Sequence, residues 1–380
     1  MATDPFQARG NWAVETADGG WLRRLHLDAP LLTGLLALCG FGLMVLYSAG
    51  DREWEMVERQ LVRQALAFGL MLVIAQVHPL QFKRWSLTFY IFGLLMLVAV
   101  LLIGDIGKGA QRWLDFGVIR FQPSELLKLA VPMAVAWALA RCPLPPRLPS
   151  ILLAAILTLI PAALIAKQPD LGTALLVASA GILVLFIAGV RWRLIIGLLL
   201  LLAALVPVVW GHLHDYQRAR ILTFLNPQSD PLGSGYHIIQ SQIAIGSGGL
   251  SGKGWLHGTQ SHLEFLPERH TDFIFAVIGE EFGLTGILGL MSIYLFVIGR
   301  GLLIAARAQE TYDRLLAGSL TLVFFVYLFV NTGMVSGLLP VVGVPLPLIS
   351  YGGTSMVTLM AGFGMLMAIE TRRSRRYQDV

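Results

Sequence analysis

Four groups of polar residues interrupt apolar stretches of the chain, and ionisable groups in hydrocarbon are costly enough to need a reason. The first is Arg112-Trp113-Leu114-Asp115, followed by Gln122-Pro123-Ser124-Glu125 and Lys128. Proline suits a first helical turn, and Glu125 and Lys128 have the three-residue spacing of a surface-facing ion pair. The second is Lys167-Gln168-Pro169-Asp170-Leu171-Gly172, where Asp170 reads either as a helix cap or as a functional carboxylate. The third runs from Glu264 to Asp272, holds Arg269, and is followed by Glu280 and Glu281. Thr271 reads as an N-cap, which puts Asp272 in a first turn where the helix dipole favours an acid. Glu280 would lie about 12 Å deeper along the same helix, a depth that capping does not explain. The fourth, Pro345 to Ser355, contains Ser350, Gly352 and Gly353 but no charge. Its contribution is shape, with hydroxyl and amide donors.

The elements that must position these groups follow from composition. The chain has 380 residues, 56% hydrophobic and 13% charged, against roughly a quarter charged in a soluble domain. Lipid is its natural solvent. Runs approaching the roughly 20 apolar residues of a spanning helix are 30–48, 61–78, 86–104, 123–140, 149–166, 171–190, 194–211, 273–299, 314–337 and 351–370. The first follows Arg23 and Arg24 and resembles a signal peptide, but its length and its long polar leader favour a retained helix. With the N-terminus inside, the inner segments collect Arg9, Arg23 and Arg24, then Lys83 and Arg84, then Arg141 and Arg147. They continue with Arg191 and Arg193, Arg300, Arg307 and Arg314, and four arginines between 372 and 376. The positive-inside rule therefore places both termini in the cytoplasm.

The predicted fold is all-α: a polytopic, multi-pass membrane bundle of about ten helices. A polar tail covers 1–29, the bundle 30–370 and a second tail 371–380. Residues 212–270 form a large outer loop between the seventh and eighth spans, without a span of its own, and loops that long are usually functional or disordered. Pro340 to Gly353 reads as a rigid, partly re-entrant turn. All four polar groups then fall at outer span ends, where a bundle can gather them around one cavity.

Several chemistries are excluded. Basic residues gathered at one set of span ends do not form a nucleic-acid surface. Gly246 to Gly254 lacks the phosphate-loop pattern, with Ser247 and Gly254 at its required positions, so it reads as a flexible turn and no nucleotide is expected. Histidines 212, 214, 237, 257, 262 and 270 lack zinc-ligand spacing, there is no serine-hydrolase elbow, and Cys39 and Cys142 read as inert.

At the four groups the chain resembles the shape, elongation, division and sporulation family of bacterial cell-wall proteins, in its RodA-like branch. The resemblance runs through Arg112-Trp113-Leu114, Gln122 to Glu125, Lys167 to Gly172, Gly258-Thr259-Gln260, Phe265 to Phe273 and Pro347 to Gly353. It implies a peptidoglycan glycosyltransferase that polymerises lipid II during cell-wall elongation and maintenance of rod shape. The implied partners are a class B penicillin-binding protein, other elongation-complex proteins and membrane lipids. It also implies that Asp272 is the catalytic residue; the alternative family reading is a lipid II flippase. On this basis Asp272 is the expected base. Arg112, Lys128, Lys167 and Arg269 are candidates for the diphosphate, and Glu125, Asp170 and Glu264 for positioning or for a divalent cation (Mg²⁺ or Mn²⁺). Trp113 is a candidate for stacking on sugar or lining the lipid entrance, with Glu280, Ser350 and Gly352 as further substrate contacts.

Overall fold

The computed structural model describes residues 25–107, 110–115, 120–191, 234–262 and 268–376, with isolated positions between 193 and 222. Helix α1 spans Ala29–Ala49, α2 Trp54–Gln76 and α3 Pro79–Ile103. Then come strands β1 (Asp105–Gly107), β2 (Ala110–Asp115) and β3 (Arg120–Phe121), and helices α4 (Pro123–Leu139), α5 (Leu148–Lys167) and α6 (Leu171–Ile187). Helices α7 (Ser234–Gly248) and α8 (Thr259–His262) precede α9 (Ile274–Arg307), α10 (Thr311–Val335) and α11 (Thr354–Arg376). Among the described residues α1, α3, α5, α9, α10 and α11 are long and apolar enough to cross a membrane, and α6 is apolar but shorter. Helices α2 and α4 fall at the second and fourth expected spans. The seventh, 194–211, lies outside the described residues, as does most of 212–233.

Local chemistry sets where the helices begin. Proline occupies the first turn of α1, α3, α4 and α5, where its missing N–H costs nothing. Asp28 caps α1 by accepting from the Leu31 amide at 2.9 Å. Small residues then let helices approach without a hydrophobic drive between them. Gly364 of α11 faces the Met71 carbonyl of α2 so closely that an added Cβ would stand 2.7 Å away.

Helices α1 to α6 alternate in direction, as do α9 to α11, and this sorts the polar groups to two ends. At one end Arg300 of α9 joins Asp28 at 2.6 Å and Glu370 of α11 at 3.5 Å. The two extremities of the described bundle therefore meet at that end. The start of α2, the sheet, the starts of α4, α6, α9 and α11, and the last turn of α10 gather at the other.

The structure departs from the all-α expectation in one place. Residues 105–107, 110–115 and 120–121 form a small antiparallel sheet of order β1-β2-β3, pairing Asp105 with Trp113 and Leu114 with Phe121. Ribbons this short carry too little periodicity to be read from sequence. The segment 234–262 also has regular structure of its own, α7 packing along α9.

The glycine-rich run is not a flexible turn either. Helix α9 breaks at Gly283, whose φ of 61° and ψ of −159° lie in a region essentially reserved for glycine. In an unbroken helix the Leu284 and Thr285 amides would donate to the carbonyls of Glu280 and Glu281. Instead they donate to the Gly249 and Leu250 carbonyls, each at 3.0 Å. The Glu280 and Glu281 carbonyls accept from the Lys253 and Gly254 amides at 3.0 and 2.9 Å. All four groups freed by the break are thus satisfied by the inserted loop, as backbone at membrane depth requires.

Candidate active site

Three consecutive carbonyls hold the segment before α9. His270 O accepts from the Tyr351 amide at 2.8 Å, Thr271 O from Ser350 Oγ at 2.5 Å, and Asp272 O from Asn331 Nδ2 at 2.8 Å. Ser350 Oγ also accepts from the Leu346 amide at 2.8 Å, so the uncharged fourth group serves as the template on which the third is laid. Tyr294 of α9 donates to the Pro347 carbonyl at 2.6 Å. Gln60 of α2 lies 3.4 Å from both Ser350 O and the Gly352 amide, and the Arg63 guanidinium covers the Tyr351 ring at 4.3 Å.

Asp272 is not in a first helical turn as its sequence context suggested. Helix α9 begins at Ile274, and the Thr271 hydroxyl, the expected cap, donates backwards to Glu268 O at 3.1 Å and Glu268 Oε2 at 2.9 Å. Asp272 therefore sits in the turn ahead of the helix. A Cβ added to Gly343 would stand 3.5 Å from Asp272 Oδ2, which places the carboxylate against that stretch of backbone.

Gly343 is part of the wall of a polar cavity of about 190 Å³. Arg112, Gln122, Glu125, Lys128 and Asp170 line it together with Gly352. The cavity thus draws on the first, second and fourth groups, with Asp272 of the third at its edge. Asp170 does both jobs that its sequence left open: Oδ1 caps α6 through the Thr173 amide at 3.2 Å, and Oδ2 lies 3.5 Å from Arg112 Nε. Arg112 also donates to the Pro169 carbonyl at 2.9 Å. Lys128 Nζ lies 2.6 Å from Glu125 Oε1, but the pair is buried at the cavity rather than facing the surface. The reason is that α4 packs against α3, α5, α6 and α10, which turns this face inward. Tyr327 of α10 completes this side, with Lys128 Nζ 5.2 Å from its ring centre. Glu125 also borders an apolar cavity of about 260 Å³ lined by Leu70, Ile74, Phe89, Met133 and Val357.

Other candidates are placed elsewhere. Glu280 Oε1 accepts from Lys253 Nζ at 2.7 Å, the Gln260 amide at 2.9 Å and Thr259 Oγ1 at 3.1 Å. Its depth serves the loop inserted into α9. Glu281 accepts from Ser48 of α1. Arg269 pairs with Asp51 in the turn after α1, and Lys167 is exposed at the end of α5. Trp113, half-buried on β2, points to the face opposite Arg112 by strand alternation. Glu264 lies outside the described residues. No three His, Cys, Asp or Glu side chains among the described residues are placed to hold a metal ion. The cavity carboxylates face Arg112 and Lys128, so these residues do not fit a resident cation. Sequence reasoning missed Asn331 and Tyr327, because a screen for ionisable groups passes over a neutral amide and a phenol in an apolar run.

A family model for cell cycle proteins, named for FtsW, RodA and SpoVE, matches residues 27–375. The peptidoglycan glycosyltransferase MrdB of Escherichia coli (strain K12) is 56% identical over 358 residues, 94% of this chain and 97% of that protein. The peptidoglycan glycosyltransferase RodA of Treponema pallidum (strain Nichols) is 32% identical, covering 91% and 98%. Among solved structures, one chain of a peptidoglycan synthase complex that coordinates polymerization and crosslinking superposes with a TM-score of 0.80. It is 33% identical over 91% of this chain and 98% of its own. The rod shape determining protein RodA of Thermus thermophilus superposes at 0.67, with 31% identity over 93% and 98%.

Proposed function

The chain belongs to the FtsW, RodA and SpoVE family of cell cycle proteins and is a peptidoglycan glycosyltransferase with multiple membrane-spanning helices, and we propose that it polymerises lipid II with Asp272 as general base. The observation that carries the reading is the carboxylate of Asp272 against the Gly343 wall of a cavity that also presents Arg112 and Lys128.

Polymerisation joins the C4 hydroxyl of one lipid-linked sugar to the anomeric carbon of another. Going from an α-linked diphosphate to a β-glycoside asks for one in-line displacement. The hydroxyl oxygen forms the new bond to carbon as the carbon–oxygen bond to phosphate breaks. The proton passes to Asp272, and the electron pair leaves on undecaprenyl diphosphate. A positioned base and fixed positive charge are what such a step requires. Arg112 and Lys128 meet the diphosphate, drawn from their present partners Asp170 and Glu125. The apolar cavity beside Glu125 suits the prenyl chain.

The positive-inside pattern supports placing the Arg300 end in the cytoplasm and the cavity on the outer face of a bacterial inner membrane. The likeness to a chain of a synthase complex that couples polymerization to crosslinking supports a class B penicillin-binding protein as partner, acting in elongation and rod shape.

The test supplies the purified chain, with its class B partner, with lipid II and either Mg²⁺ or Mn²⁺, and reads glycan ladders on a gel. Wild type is expected to give ladders, and Asp272→Asn and Asp272→Ala none despite unchanged thermal midpoints. Ladders from both variants at the wild-type rate would remove Asp272 from the chemistry. Absence of ladders from wild type under every partner and metal condition, with lipid II movement in liposomes, would favour the flippase reading.

A further inference from the structure

We infer that Asn331 is the positioning residue of the catalytic carboxylate, fixing the backbone of Asp272 to the wall of the cavity, an inference that rests on Asp272 being the base. Asn331 lies in α10, one turn beyond Tyr327, and is fully buried. Its two amide hydrogens go to two different segments: Asp272 O at 2.8 Å and Val344 O at 2.7 Å. Two carbonyl acceptors on one side settle which end of the side chain is the nitrogen, since an oxygen there would face both. Oδ1 is buried and has no partner among the described residues.

An unmet buried acceptor is costly, a cost that an apolar residue at this place in α10 would not carry. What the amide does in return is set a distance. Val344 follows Gly343, the residue against which the Asp272 carboxylate stands. Ser350 and Tyr351 hold Thr271 and His270, and Asn331 donates to the carbonyl of Asp272 itself. Asp272 precedes α9, ahead of its helical ladder. A base displaced by about 1 Å loses on the order of 100-fold in rate.

The experiment measures steady-state kinetics of the purified chain with its class B partner on lipid II, with thermal unfolding of every variant. Asn331→Leu keeps the size and removes both donors; Asn331→Ser keeps one donor and guards against a leucine variant that fails to fold. The expected result is a kcat reduced about 100-fold in Asn331→Leu and less in Asn331→Ser. KM should stay within about threefold, and both variants should remain folded at the assay temperature, with a lowered thermal midpoint in Asn331→Leu from the two carbonyls left unpaired. A wild-type kcat in Asn331→Leu, beside an inactive Asp272→Asn, would overturn the inference alone. Wild-type activity in Asp272→Asn would overturn the base assignment and the inference together. A loss of kcat matched by an equal loss of folded protein at the assay temperature would reduce Asn331 to a packing residue and also overturn it.

Discussion

Glu125 and Lys128 bear on stability and catalysis through the same contact. A buried ion pair is weak evidence of stabilisation, but removing one partner leaves an uncompensated charge at a cost of about 3–5 kcal/mol. Glu125→Leu and Lys128→Met should each lower the thermal midpoint in detergent, and the double variant should regain most of that loss. Glycan ladders should stay absent in all three, because the ammonium or its partner is missing from the cavity. A double variant no more stable than either single one would mean that the pair is not coupled as the 2.6 Å contact implies. At this scale sequence was informative where a residue was improbable in hydrocarbon: Arg112, Glu125, Lys128 and Asp170 all line the cavity. It was uninformative where one residue type suits several environments. Glu280 is fully buried, yet it serves the loop inserted into α9. Asn331 passed as a neutral residue in an apolar run because its importance lies in carbonyls 59 and 13 residues away along the chain.

Helix α9 shows what hydropathy can and cannot locate. Its 34 residues were legible as a span because the apolar run continues through Gly283. The break was not legible, since the groups that repair it come from 249–254 and pairings between distant segments leave no local periodicity. Substitution should expose the device. Gly283→Ala forces a Cβ into a backbone region that costs about 1–3 kcal/mol, and 2.8 Å from the Leu250 carbonyl. The expected outcome is a lowered thermal midpoint with easier proteolysis between Gly249 and Gln260. An unchanged midpoint would show that the break relaxes freely and that the inserted loop does not depend on it. The sheet of β1, β2 and β3 was missed for a related reason: strands of two to six residues carry too little periodicity to be read. It is nonetheless what delivers Arg112 to Asp170.

For the molecule as a whole, alternation of helix direction was the most legible feature, and it brings the ends of the described chain together at Arg300. The side of the membrane on which that end lies is a separate matter, proposed from the distribution of arginine and lysine. Cysteine labelling tests it in a chain carrying Cys142→Ser, Cys39 being buried. A membrane-impermeant maleimide added outside intact spheroplasts should label Glu55→Cys at the start of α2 and spare Gln309→Cys between α9 and α10. The reverse pattern would invert the proposed topology and move the cavity to the cytoplasm.

The backbone of 249–254, joined to both sides of the break in α9, is by connectivity a loop and by bonding part of a span. Loops ordinarily absorb insertions and deletions as sequences diverge. Here a gain or loss of one residue between Gly249 and Gly254 would shift the amides of Lys253 and Gly254 away from the carbonyls they satisfy. The turn at 141–147, between α4 and α5, carries no such constraint in its bonding. Divergence in length therefore has room at that end of the molecule, while the glycine-rich run must drift at constant length.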